Sequence, residues 1–180
     1  PMGMKLLYIL RHGKSSSTLQ GGTDHDRRLT RRGKQAAAAM GAEFARRGWH
    51  PACVLVSSAR RTRLTFKHFS RAFAESGGGT MEECVEPGLY LAPPNRILDF
   101  LAAVDGALPS VLIIGHNPGL HALACALTAG KGGAAAARLM EVFPTCALAA
   151  FRCEVKDWSD IGPRTADLEA VIFARDLDQS

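Results

Sequence analysis

The sequence predicts an α/β fold, a three-layer α/β/α sandwich built on a mainly parallel central sheet. Three observations carry that prediction. Short apolar runs of strand length alternate with longer stretches of helical periodicity from residue 4 to residue 129. The runs are almost continuously apolar, as in strands covered on both faces rather than one. No repeat and no linker divides the 180 residues, so 1–180 is read as a single domain with one sizeable core.

The elements follow in order. Met4 to Leu10 is a buried strand with Tyr8 and Ile9, stopping at Arg11-His12-Gly13. Lys14 to Arg28 is polar and reads as loop. Thr30 is the expected N-cap of a helix over Arg31 to Gly48, with Ala37, Met40, Ala42, Phe44 and Ala45 on its apolar stripe and Gly48 ending it. Cys53 to Val56 is a strand closed by Ser57-Ser58. Ala59 to Ser76 is a helix with Leu64, Phe66, Phe69 and Phe73, ended by Gly77-Gly78-Gly79. Met81 to Val85 is a third strand. Asn95 is the expected cap of a helix carrying Ile97, Leu98, Leu101 and Val104. Ser110 to Ile114 is the clearest buried strand, stopping at Gly115-His116-Asn117-Pro118-Gly119, and Leu120 to Ala129 is helical. Lys131 to Ala137 reads as a flexible Gly/Ala connector. Cys146 to Val155 and Leu168 to Phe173 are late strands.

Composition narrows the function classes. Lys and Arg number 22 against 17 Asp and Glu, a formal charge of +5. That suits an anionic ligand and is too mild to imply nucleic acid. The longest stretch without a charge, Gly106 to Gly130, is broken by Pro109, His116, Asn117 and Pro118, so no membrane span is expected. The short apolar run after the N-terminus meets Arg11 and does not read as a secretory signal. Five cysteines, with no C-x-x-C pair, fit reduced thiols in a cytoplasmic protein better than disulfides or zinc.

Ligands of open parallel sheets bind beyond the carboxyl ends of the strands. Three such ends carry unusual residues here: Arg11-His12-Gly13, then Ser57-Ser58 leading to Arg60, Arg61 and Arg63, then Gly115-His116-Asn117-Pro118-Gly119. Two imidazoles and at least two guanidiniums would converge on one cleft. The planar guanidinium fork suits phosphate oxygens, and the following helix N-termini add N–H donors, so the expected ligand is a phosphoryl group. Arg60 and Arg63, with Arg31, Arg32, Arg46 and Arg47, read as solvated faces. Asp24-His25-Asp26 reads as a solvated turn or an acidic partner for Arg27 and Arg28 rather than a metal site. Lys14, Ser15, Ser16, Ser17 and Thr18 sit at the lip of the expected pocket and read mostly as loop.

The ordered set of motifs resembles the histidine phosphatase superfamily, the phosphoglycerate-mutase-like family. Leu10-Arg11-His12-Gly13 resembles its R-H-G motif. Arg28-Leu29-Thr30-Arg31-Arg32-Gly33 resembles its R-x-L-T-x-x-G segment. Ser57 to Thr65 resembles S-x-x-x-R-x-x-x-T, which selects Arg61 among the three arginines, and Gly115 to Leu120 resembles the second-histidine motif. The G-H-N-P-G form, the short chain, Phe143-Pro144-Thr145 and Trp158 are most similar to SixA-type phosphohistidine phosphatases.

The resemblance implies catalytic roles for His12, Arg11, Arg61 and His116. His12 attacks phosphorus with one ring nitrogen while the other donates to a backbone carbonyl, and water hydrolyses the phosphohistidine formed. Arg11, Gly13, Arg61, His116 and the Asn117 backbone N–H are the expected substrate contacts. His116 is expected to be protonated beside the bound anion. No metal or other cofactor is implied. Glu86 is the possible leaving-group acid, with Glu82 and Glu83 nearby. It stands before Pro87-Gly88-Leu89-Tyr90, outside the mutase-type context, and a surface carboxylate is an equal reading. A labile phosphoramidate asks less of an acid than an alkyl ester does. The expected partner is therefore a phosphorylated protein bearing phosphohistidine, with a small phosphorylated metabolite as the alternative.

Rival chemistries fit less well. Cys146 and Arg152 have C-x5-R spacing, yet the residues between lack Gly. In a strand the pair would stand ~20 Å apart at about 3.3 Å per residue. No G-x-S-x-G elbow occurs, and Lys131 is not followed by Ser or Thr as a Walker motif requires. A non-catalytic phosphate-binding module needs no nucleophile, and His12 argues against it.

Overall fold

The computed structural model describes residues 3–17 and 21–177. Six strands form one sheet: β1 (Lys5–Arg11), β2 (Cys53–Ser57), β3 (Glu83–Glu86), β4 (Ser110–Gly115), β5 (Leu148–Cys153) and β6 (Ala166–Ile172). Their order across the sheet is β3-β2-β4-β1-β5-β6. The pairings β1 with β4, β4 with β2, and β2 with β3 are parallel, and β5 and β6 are added antiparallel.

Successive side chains of a strand face opposite ways, so β1 serves two cores at once. Leu7 and Ile9 point into one, with Val111 and Ile113 of β4. Three helices cover that side: α3 (Pro94–Ala102), α4 (Gly119–Leu127) and α5 (Ala134–Glu141). Tyr8 and Leu10 point into the other, beneath α1 (Arg31–Arg46), α2 (Arg60–Glu75) and the short α6 (Ala174–Leu177). The three-layer sandwich is thus the architecture found. β4 is buried along its whole length, as a central parallel strand must be.

Local chemistry accounts for most boundaries. The Thr30 hydroxyl accepts from the Gly33 amide and caps α1. Gly48, at φ 69°, takes the left-handed turn that follows it. At α3 the expected cap is corrected. Pro93 holds the N-cap position and Pro94 opens the helix, because proline lacks the amide that the first turn leaves unused. The third strand starts two residues later than expected and ends one later, at Glu83–Glu86. The expected Gly/Ala connector is in part the helix α5. Only Lys131 to Gly133 stays outside it, and Gly133 at φ 114° makes the entry. Cys146 precedes β5, and Arg152 lies within it, beside Glu169.

No helix among the described residues is long and apolar enough to cross a membrane.

Candidate active site

The register of β1 against β4 builds the site. Arg11 pairs with Gly115, so the next residue of each strand, His12 and His116, leaves the sheet side by side. The His12 amide donates to the Gly115 carbonyl at 3.1 Å, and the two rings lie 5.3 Å apart. β2 ends one strand further over. Its last residue, Ser57, places its Oγ 2.7 Å from His116 Nε2. Arg61, in the first turn of α2, reaches back between the histidines. Its Nε donates to His12 Nε2 at 3.3 Å, and its Nη2 lies 3.3 Å from His116 Nδ1.

Two glycines make this packing possible. A Cβ on Gly13 would sit 2.7 Å from the Gly33 carbonyl oxygen, and one on Gly33 would sit 2.2 Å from that of Lys14. Only hydrogen fits where the β1 loop crosses the start of α1.

The result is a cavity of about 420 Å³ lined by Arg11, His12, Lys14, Ser15, Asp24, Arg27, Arg61, Leu91, His116, Asn117 and Thr145. Three guanidiniums and one carboxylate face it. His12 Nδ1 lies 2.7 Å from the Gly13 carbonyl, a contact only a protonated nitrogen can make, so the unprotonated Nε2 faces the cavity. Burial, opposed by that bond and reinforced by Arg61, Arg11 and Arg27, brings the His12 pKa down to about 4. The ring is neutral near pH 7. Burial, then His12 and Arg61, brings His116 down to about 3. Asp24 opposes that shift without outweighing it, so His116 is neutral near pH 7 in the unliganded pocket, and the protonation expected beside a bound anion would have to come with the anion. Arg11 is lowered by burial and by Arg61. Its Nη1 donates to the Phe143 carbonyl at 3.2 Å, while its buried Nε has no partner.

Other expected contacts fall differently. The Gly13 amide donates to Thr65 Oγ1 at 3.0 Å, so it is not free to meet a phosphoryl oxygen. Glu86 lies outside the cavity lining. It is on the edge strand β3, paired with Ser57, and β2 and β4 stand between it and β1. Three strand spacings of about 4.8 Å make roughly 14 Å. Asn117 does line the cavity, and its side-chain amide donates to the Phe143 carbonyl at 2.8 Å. Lys14 and Ser15 also line it; Thr18 lies outside the described residues.

Two residues escaped sequence reasoning. Arg27, not Arg28, reaches the cavity, bonding the Ser16 carbonyl, Ser15 Oγ and Asp24. Strict R-x-L-T spacing before Leu29-Thr30 would have chosen it. Asp24 pairs with Arg27, as the reading of an acidic partner expected, but it also takes Arg61 and the Tyr90 hydroxyl, and no spacing pointed to those. His25 bonds Ser58 Oγ at 2.9 Å. No group of three or more His, Cys, Asp or Glu among the described residues is arranged to hold a metal ion. A second groove of about 590 Å³, lined by Arg60, Arg63, Lys67 and His25 among others, lies alongside.

Comparison with known proteins bears on the family and the fold. Residues 7–78 match the model of the histidine phosphatase superfamily, branch 1. The uncharacterised protein Rv1276c of Mycobacterium tuberculosis is 33% identical over 167 residues, covering 88% of this chain and 96% of its own. Among solved structures, the candidate phosphohistidine phosphatase SixA of Nakamurella multipartitia superposes with a TM-score of 0.80 at 27% identity, covering 96% of this chain and 98% of that one. Its counterpart from Agrobacterium tumefaciens gives 0.77 at 27% identity, covering 94% and 97%.

Proposed function

The chain belongs to the histidine phosphatase superfamily, and from that premise we propose that it is a phosphatase working through a covalent phosphohistidine on His12, with a protein phosphohistidine as its substrate. The observation that carries the reading is the state of His12. Its Nδ1–H is spent on the Gly13 carbonyl, its pKa is low, and its unprotonated Nε2, held only by a 3.3 Å contact from Arg61, faces the cavity with Arg11 and His116. A neutral imidazole with one nitrogen fixed and the other open is a nucleophile.

In the first step the Nε2 lone pair attacks phosphorus, the Nε2–P bond forms and the bond to the leaving group breaks. Arg61 gives up its weak contact with Nε2 and, with Arg11, takes the equatorial oxygens. His116, with Nε2 on Ser57, orients its other nitrogen toward the same centre, and phosphoryl charge draws a proton onto it. Water then attacks phosphorus, returns the lone pair to His12 and releases inorganic phosphate. Positive charge is supplied by side chains throughout.

Glu86 lies outside the lining, and nothing in the lining can donate a proton as a carboxylic acid near pH 7, because Asp24 is held well below its usual range. A phosphoramidate, whose leaving group departs as a stable neutral amine, fits a site of this kind better than an alkyl ester. The neighbouring groove leaves room for more substrate than a phosphoryl group, and we assign the protein to the cytoplasm, where its five unpaired thiols stay reduced. Side-by-side rates on a phosphohistidine protein, a phosphoserine peptide and sugar phosphates test the assignment. Turnover is expected to rank in that order. A sugar phosphate as the fastest substrate would move the assignment to small-ester hydrolysis.

A further inference from the structure

Asp24 is the one carboxylate in a cavity otherwise lined by cations and neutral groups, and the mechanism above leaves it without work. It opens the short 3-10 turn Asp24–Asp26, and its side chain stays 43% exposed, open to whatever fills the cavity. One oxygen accepts from Arg27 at 3.1 Å. The other accepts from Arg61 at 3.1 Å and from the Tyr90 hydroxyl. Tyr90 is held in turn by edge contacts with His25 and His116, at 4.9 and 5.4 Å. Three donors therefore fix the carboxylate at the wall of the phosphoryl pocket.

Such a placement is costly for an ordinary phosphate monoester. A dianion beside Arg61 must share its fork with Asp24, and the two negative charges repel. A phosphorylated imidazole differs. It carries phosphorus on one ring nitrogen and can carry a proton on the other, which makes the ring cationic. A cation between the phosphoryl group and Asp24 relieves the repulsion.

We infer that Asp24 selects a phosphorylated imidazole over a phosphate ester by accepting a hydrogen bond from the ring N–H that does not bear phosphorus. This rests on the phosphohistidine reading above and names the residue that enforces it. The step balances without an acid. His12 Nε2 bonds to phosphorus, and the P–N bond breaks with its electron pair returning to the ring. The ring leaves as neutral imidazole, still carrying the proton it arrived with. An ester oxygen has no such second site, and an ionised Asp24 has no proton to give it.

The test compares Asp24→Asn with the wild type on two small substrates, N-phosphoimidazole and p-nitrophenyl phosphate, reading the ratio of their kcat/KM values. A charge-assisted hydrogen bond of ordinary strength corresponds to roughly 10- to 100-fold, so the ratio is expected to fall by that much toward the aryl ester. Tyr90→Phe, which removes one of the three donors, is expected to move the ratio the same way by a smaller factor. Thermal melts of both variants establish that the comparison is between folded proteins. A wild-type ratio retained within twofold in Asp24→Asn, with both rates lowered together, makes Asp24 only the counter-ion of Arg61 and overturns the inference alone. A wild type that turns over the aryl ester but neither N-phosphoimidazole nor a phosphohistidine protein overturns the phosphohistidine reading as well.

Discussion

The two ends of β1 each carry a cation withdrawn from solvent, Lys5 buried and Arg11 half-buried, and they differ in how it is satisfied. At the N-terminal end Lys5 is 6% exposed. Its ammonium is closed off by the Gly106 and Leu108 carbonyls and lies 5.6 Å from the Trp158 ring centroid. At the C-terminal end Arg11 keeps a buried Nε with no partner, and the two histidines meet only guanidinium and hydroxyl groups on their cavity sides. Both ends hold a charge at least partly out of water. What separates a structural cation from a reactive site is the hydrogen-bonding capacity left open, and the shape of the ligand is written in the donors that remain.

Substitution at each end sharpens the contrast. Arg61→Ala removes the fork that the proposed mechanism places on the phosphoryl oxygens and is expected to lower kcat/KM by roughly 10²–10³-fold, in the range seen for loss of a transition-state donor. Arg60→Ala, on the exposed face of the same helical turn, is expected to cost far less. The reverse ranking would break the assignment. Lys5→Met leaves the half-buried Gly106 carbonyl without its Lys5 donor, while the Leu108 carbonyl keeps Trp158 Nε1. It is expected to cost about 2–3 kcal/mol of stability in denaturant titration, with turnover per folded molecule unchanged.

A smaller effect distinguishes the ends by pH. His12 and His116 titrate at about 4 and 3 in the native state, below the ordinary 6.5. Between those values the unfolded chain binds more protons, so stability is fully present above pH 6.5 and declines as pH falls below it. His68, lowered by burial and by neighbouring cations, acts in the same direction. Asp24 and Glu43, both held low, add their losses only at more acidic pH. The denaturant midpoint is therefore expected to fall from pH 7 to pH 5, and the double variant His12→Asn/His116→Asn is expected to flatten most of that slope. An undiminished slope would show that the buried ring pair is not its source.

Much of the fold and site was legible because the signals were local. Thr30 with Gly33, Gly48 after α1, and the apolar run of β4 each declare themselves within a few residues. The pairing of His12 with His116 was legible because both end adjacent parallel strands. α5 escaped because a Gly/Ala run has no side-chain cap to mark its start, and it is held by burying Ala136 and Leu139. Asp24 escaped because its partners Arg61 and Tyr90 come from α2 and from the loop after β3, so its value lies in contacts that no spacing encodes. Gly13 was misjudged for the same reason: its amide serves Thr65, 52 residues away.

The central claim is that the imidazole of His12 becomes covalently phosphorylated. Mixing enzyme with excess phosphohistidine protein, quenching in alkali within the first turnover and mapping the phosphoryl group by mass spectrometry tests it directly. An alkali-stable, acid-labile phosphoryl group on His12, absent from His12→Ala, is the predicted result. Product formed in that first turnover by an enzyme carrying no phosphoryl group, or carrying it on another residue, would contradict the account.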